Sequence, residues 1–295
     1  MKMRKSHMVP LSMHSILHLS RSRNYEEGMK LFDSILEIKS EQLPELWNLF
    51  SREAEIAALS IYDGLNYQLR AGAYYKGYFS KSLFNYGLGL ERIIKLIIVI
   101  NHMLENNKKA PTNGFLKSEV GHDLKKGYDL SVAISKRINS PSSNELNLIY
   151  GCEIKRTLFE ILNEFWNKYK YYNLDKLTGD LNIFDPIQAW TNDLIVKISN
   201  KHPSKRINSL VDSLKGYKDP FTNIAYMGEL EKHNQKHVTV YMAEIARAFV
   251  RLLVELQEMA HIMNIEIPYI SEFFTMLLHN DKKSMLNKRK WSMYF

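Results

Sequence analysis

Ser80-Lys-Ser-Leu-Phe-Asn-Tyr-Gly-Leu-Gly-Leu-Glu-Arg-Ile-Ile-Lys-Leu-Ile-Ile-Val-Ile-Asn-His-Met-Leu104 is the stretch on which the fold turns. Leu83, Tyr86, Leu90, Ile93, Ile97, Ile100 and Leu104 recur three or four residues apart, and Leu88, Ile94, Leu96, Ile98 and Val99 fill much of the remaining circumference. A helix apolar on most sides is a buried one, so this is the expected central helix. Its polar remainder is a narrow strip of Glu91, Arg92, Lys95 and His102. Gly87 and Gly89 weaken a helix and make sense where a neighbour must come close. With Arg92 and Lys95 inside it, the stretch does not suit a membrane span, which wants about 20 nearly uncharged residues.

Working outward, Glu105 to Gly114 reads as a loop with Pro111 and Gly114 as breakers. A second helix is expected from His122 to Ile138, and a third, long one from Ser143 through Ile154 and Leu162 to Trp166. Short connections favour antiparallel neighbours. Upstream, Asn24 and Glu27 have capping-box spacing for a short helix to Ile38, and Pro44 suits the first turn of a helix ending near Tyr62. Asp63 to Phe79, with three glycines among Tyr67, Tyr74, Tyr75 and Tyr78, reads as a loop or short hairpin. Its rings either stack bases or roof the core. Downstream, Asp185-Pro186 starts a helix, a short one is expected from Ile207 to Leu214, and a long one from Gly228 to Ile262. A last short helix starts at Pro268 and ends near His279. The fold class is therefore all-α, an antiparallel helical bundle with flanking helices. Its expected parts are a basic arm over 1–23, N-terminal helices and the Tyr-rich loop over 24–79, the helical core over 80–180, C-terminal helices over 181–280, and a basic tail over 281–295.

Leu90-Glu91-Arg92-x-x-Lys95 in an apolar helix, followed by a loop and by Gly121-His-Asp-Leu124 opening another helix, resembles the HEPN superfamily of small helical-bundle proteins. Phe165-Trp-Asn-Lys-Tyr-Lys-Tyr-Tyr-Asn-Leu-Asp175 is similar to the aromatic, basic turn that ends a long helix in such proteins. The likeness covers roughly residues 80–175. It implies an antiparallel bundle that cleaves RNA, in a toxin or defence setting, or that accompanies nucleotide-handling enzymes. Nucleolytic members carry an Arg followed by a His after four to six residues, and no Arg of this chain has a His at that spacing. Lys168-Tyr-Lys-Tyr-Tyr172 stands where the Arg would be sought, and lysine lacks the planar, always-charged guanidinium. A nuclease would need its histidine from elsewhere, such as a second subunit.

The candidate catalytic residues are His122 and Arg92, which are not expected to pair within one chain. Lys125, Lys126, Lys168, Lys170, Tyr169 and Tyr171 are the candidate nucleic-acid contacts. His122 either works as an acid or base near neutral pH or, with Asp123, caps its helix and ties down the loop. Antiparallel helices would put His122 beside His102, about 15 Å along the axis from Arg92. Glu91 and Lys95 have the spacing of an intrahelical ion pair.

Forty Lys and Arg against 32 Asp and Glu leave a net +8, which suits a polyanionic partner or solubility alone. The single cysteine, Cys152, excludes an intramolecular disulfide and a clustered-cysteine metal site, and reads as a packing residue. Glu229, His233 and His237 share one face of the long helix, but the same face continues as Glu244, Arg247, Arg251, Glu255 and Glu258. That run reads as a solvated strip pairing along itself, so no metal and no cofactor are expected. There is no phosphate-binding Gly-x-x-x-x-Gly-Lys loop, no Gly-x-Ser-x-Gly elbow and no His-Glu-x-x-His. The function expected is action on or alongside RNA in the cytoplasm, with RNA or a nucleotide, a protein partner or a second copy as partners and no membrane. The alternatives are a non-catalytic nucleic-acid or nucleotide module and a structural adaptor.

Overall fold

The computed structural model describes residues 44–72, 75–179, 184–205, 209 and 220–293, with side chains of the last segment from Gly228 onward. The chain divides into two units, Met1–Leu49 and Phe50–Phe295. Of the first, Pro44 to Leu49 are described, and they enter the first helix. The expected basic arm, the helix from Asn24 and the helix from Ile207 to Leu214 lie outside the described residues. No strand occurs among the described residues, and the class is all-α.

Helix α1, Glu45–Arg70, starts where Pro44 signals it and runs eight residues beyond Tyr62. The reading of Asp63 to Phe79 as a loop or short hairpin is corrected at both ends: α1 continues to Arg70, and α2, Gly77–Glu105, begins at Gly77. Gly64 breaks nothing. A Cβ there would lie 2.7 Å from the Tyr86 Cβ and 2.8 Å from its backbone nitrogen, so the glycine is what lets α1 cross α2. Ser82 Oγ donates to the Gly64 carbonyl oxygen at 2.9 Å across the crossing. Tyr67 stacks on Tyr78 with centroids 5.8 Å apart. Along α2, Leu83, Tyr86, Leu90, Ile93, Ile97 and Ile100 are buried, as their spacing predicts. Gly89 takes the Ala57 carbonyl and Ile61 of α1 against its backbone.

Asn107 and Lys108 adopt left-handed backbone (φ 52° and 66°) and end α2. The following segment, read as loop, contains α3, Asn113–Glu119, capped by Thr112. It folds back along α2 and sets Phe115 against the His102 ring at 4.8 Å. After a turn at Gly121 (φ 59°), α4, Leu124–Arg137, begins on the Asp123 cap, whose carboxylate accepts from the Lys126 backbone N–H at 3.0 Å. The expected antiparallel arrangement of α2 and α4 is overturned. His122 meets Glu91, Gly127 abuts Ile94, and Arg137 bonds Asn101 and Glu105, so the two helices run in the same direction. The physical reason is the return leg: seven residues of helix climb about 10 Å, and with its flanking turns α3 carries the chain back toward the middle of α2.

The helix expected to run unbroken to Trp166 is two. Helix α5, Ser143–Gly151, stops at Cys152, whose backbone is extended (φ −106°, ψ 119°), and α6, Glu153–Glu164, follows and widens into a π turn over Phe165–Tyr169. Cys152 is a free, half-buried thiol. Then come α7, Tyr172–Leu177, and α8, Pro186–Ala189, capped by Asp185 as expected. A π turn, Trp190–Ile195, leads from α8 into α9, Val196–Lys201. The long α10, Pro220–Ile262, lies alongside α2, with the Tyr86 hydroxyl donating to the Met242 carbonyl oxygen at 2.5 Å and Lys108 Nζ to that of Asn264 at 3.3 Å. Val238, Tyr241, Ile245, Phe249, Leu252 and Leu256 are buried.

One further expectation fails. The strip along α10 does not pair along itself, because neighbouring elements supply its partners: Glu244 takes Lys155 at 3.1 Å, Arg247 donates to the Asn280 carbonyl at 3.0 Å, Arg251 bonds Glu145, and Glu255 accepts from Ser140. The basic tail is packed. After a 3-10 turn, Ile270–Phe274, and α11, Thr275–His279, comes α12, Lys282–Asn287, capped by Asp281. Met285, Trp291 and Met293, interleaved with the lysines, are buried, and Asn66 bonds both the N–H and the carbonyl of Trp291 at 2.8 Å. Among the described residues, no helix is long and apolar enough to cross a membrane.

Two substitutions check this core by chemical denaturation. Ile97→Ala should cost about 2 to 5 kcal/mol, and a loss below about 0.5 kcal/mol would remove α2 from the core. Gly64→Ala should be destabilising, since the crowding of Tyr86, at about 1 to 3 kcal/mol, exceeds the roughly 1 kcal/mol that alanine gains in helix propensity.

Candidate functional site

The polar strip of α2 divides between two faces. Successive residues of a helix point about 100° apart, so Glu91 and Arg92 look in different directions. Arg92 turns to α1, where it bonds Glu53, while its Nε is buried without a hydrogen-bond partner. Glu91 turns to α4 and the π turn. Lys95 bonds it, as the four-residue spacing predicts. Two further donors come from distant sequence: Trp166 Nε1 donates to its Oε2 at 2.7 Å, and His122 Nδ1 lies 3.0 Å from the same oxygen. Gly87, one turn before Glu91, makes room for the indole, since a Cβ there would sit 2.7 Å from a Trp166 ring carbon. Lys170, the residue after the π turn that carries Trp166, holds its ammonium 4.3 Å from the centre of the indole.

Glu91 has 8% of its side chain exposed, and His122 has 72%. The arrangement is therefore a buried carboxylate covered by an open imidazole. Burial pushes the Glu91 carboxyl up, but the hydrogen bonds from Lys95, His122 and Trp166, with the charge of Lys95, outweigh it and hold the group below its ordinary value. Glu91 is thus ionised at neutral pH. A carboxylate can only accept, so His122 Nδ1 carries the proton of that bond, and in the neutral imidazole Nε2 is left with a free lone pair. An oriented, exposed histidine backed by an ionised carboxylate can move a proton to or from a bound group.

The remaining predicted residues scatter. Lys125 bonds Asp129 at 2.5 Å, with its ammonium over the Tyr128 and Tyr150 rings, and its backbone N–H donates to Asn163 Oδ1 at 3.0 Å. Lys126 Nζ donates to the Ser118 carbonyl oxygen of α3 at 2.6 Å. Lys168 pairs with Glu164 at 3.3 Å. Tyr169 packs near Phe184, and Tyr171 is exposed. His122, Trp166 and Lys95 converge on Glu91, with Lys170 beyond them over the Trp166 ring, whereas Arg92 turns toward α1. His122 is not beside His102: Glu91 precedes His102 by eleven residues, about 16 Å along the helix. Sequence reading missed Glu91 as the hub and Trp166 as its donor. The available signal was a carboxylate set in the most apolar turn of the chain, where a charge needs partners from outside its own helix.

Glu229 pairs with Lys232 at 3.5 Å, and His233 and His237 turn toward His202. Among the described residues no three His, Cys, Asp or Glu form a set able to hold a metal ion.

The lowered Glu91 value makes stability depend on pH. The folded state binds fewer protons than the unfolded one near and below pH 4.5, so this contribution is complete above that value and is lost as pH falls through the folded one. Glu91→Gln should therefore be less stable than wild type at neutral pH, by about 1 to 3 kcal/mol. Denaturation at neutral pH and at about pH 3 should show the difference shrinking with acid; a constant difference would refute the pairing.

No protein-family model matches the chain, and comparison with curated proteins and with solved structures finds no match.

Proposed function

We propose that this chain is a HEPN-like protein that acts on RNA, with His122 as the group that moves the proton. The observation that carries the reading is the open His122 imidazole held through Nδ1 by the ionised, buried Glu91. In RNA cleavage of this type, His122 Nε2 takes the proton of a ribose 2′-hydroxyl, the O2′–phosphorus bond forms, and the phosphorus–O5′ bond breaks. The leaving O5′ takes a proton from water. Lys170, standing over the Trp166 ring, is the cation proposed for the phosphate. It supplies charge without the bidentate fork of an arginine, and Arg92, occupied by Glu53, is not available for that role. Glu91, Lys95 and Trp166 are positioning residues. A cytoplasmic setting and a homodimer that adds a second histidine belong to the same reading.

The second reading, a module that binds RNA or a nucleotide without cleaving it, draws on the π-turn segment, where Lys168 and Lys170 alternate with Tyr169 and the exposed Tyr171.

Labelled single-stranded RNA incubated with the protein, with and without a metal chelator and over a salt series, separates the two. Cleavage that survives chelator and falls about 10²- to 10⁴-fold in His122→Ala supports the enzyme. Equal cleavage by His122→Ala would sink the role of that residue. Salt-sensitive retention with no cleavage would establish the binding module, and neither activity would favour a structural adaptor.

A further inference from the structure

Away from Glu91, ionisable groups crowd together where α9 meets α10. His202, the residue after α9, lies flat on His237 of α10, with ring centroids 4.0 Å apart and planes 9° from parallel. His233 meets His237 edge-on at 4.7 Å. Its Nε2 donates to the His202 carbonyl oxygen at 2.7 Å, and His202 Nε2 lies 2.8 Å from the Tyr241 hydroxyl. His237 Nδ1 is buried with no hydrogen-bond partner, so a proton placed there would find no acceptor. One neutral bond, Asn234 Nδ2 to Ser199 Oγ at 2.9 Å, adds to the same contact.

The surroundings are cationic on several sides. Lys201 belongs to α9 itself, and Lys282 of α12 stands over the Tyr241 ring at 5.1 Å. Lys197, on the side of α9 toward α6, is paired with Glu153. The carboxylate acting on His202 is Glu244, and both Lys155 of α6 and Lys282 already share it, at 3.1 and 3.9 Å. The Cys152 thiol faces Tyr241 and brings no positive charge.

We propose that the contact between α9 and α10 is a proton-operated latch, closed while the stacked imidazoles of His202 and His237 are neutral and released when acid charges them. A proton on either sets a cation against its stacked neighbour, beside Lys282, whose carboxylate Glu244 is already shared with Lys155. Burial, followed by His202, His233 and Lys282, holds His237 at about 4. Burial, then Lys282, Lys201 and His233, lowers His202 against the pull of Glu244. The sign is set by which form binds more protons. Between 6.5 and about 4 the opened form takes up a proton on His237 that the closed form refuses, so the latch is intact above 6.5 and loosens as pH falls through this window.

Hydrogen exchange on the full chain tests this, with rates corrected for the intrinsic effect of pH. Between neutral pH and about pH 5, the amides of residues 196–202 and 233–241 should lose protection about tenfold relative to those of α2, the factor equivalent to one unit of pKa difference. His237→Phe keeps a ring in the stack, offers a charged His202 an aromatic face and removes the group that cannot take a proton, so it should abolish most of that loss. Unchanged relative protection in the wild type, or an equal loss in His237→Phe, would overturn the proposal. Should that variant fail to fold, imidazole proton resonances of the wild type decide: titration of His202 and His237 below 6.5 supports the latch, and titration at or above it refutes it.

Discussion

A carboxylate buried in the most apolar helix of the chain constrains everything around it. An unpaired charge in such a place costs several kcal/mol, so Glu91 requires donors, and its own helix offers only Lys95. The other two come from residues 31 and 75 positions away, His122 at the entry to α4 and Trp166 in the π turn. One side chain thus ties α2 to two later elements of the bundle and fixes where each begins or ends. Removing a donor would leave charge behind, whereas removing the carboxylate would leave an indole N–H and an imidazole to find new acceptors. The same geometry that makes the charge tolerable also leaves one face of His122 open.

Close approach of neighbours is the second constraint, and glycine meets it in four places along α2, one of them where Gly127 of α4 abuts Ile94. Gly64 admits Tyr86, Gly87 admits the Trp166 indole, and Gly89 admits the Ala57 carbonyl and Ile61. Each weakens its own helix slightly, and each is matched by a neighbour that would collide with any side chain. Gly87 connects the packing to the chemistry, because the indole it admits is the one that donates to Glu91 one turn later. The π turn serves the same end by carrying Trp166, with Lys170 directly after it over the same ring.

The direction of α4 follows from α3. A tight turn after α2 would have given an antiparallel hairpin with His122 at the far end of α2. The left-handed Asn107 and Lys108 and the short α3 instead return the chain along α2, and α4 starts beside Glu91. Arg137 closes the far end of the parallel pair on Asn101 and Glu105. Ionic groups elsewhere behave alike: along α10, Glu244 and Arg251 meet partners on α5, α6 and α12 instead of pairing with neighbours on their own helix.

By itself the sequence determined the features that depend on a few neighbouring residues. The period of Leu83 to Leu104 dictates a buried helix, the caps at Asp123 and Asp185 mark helix starts, and the absence of alternating apolar patterns leaves an all-α chain. Such signals are local, because periodicity and capping act within a turn or two of helix. Tertiary structure alone decided that Gly64 marks a helix crossing, that α2 and α4 run parallel, and that Met285 and Trp291 anchor a segment whose charges resemble a solvated tail. It also decided that Glu91, not Arg92, faces His122. Pairing between distant segments depends on the path of the chain between them, and one turn of helix more or less in α3 would bring a different residue to the imidazole.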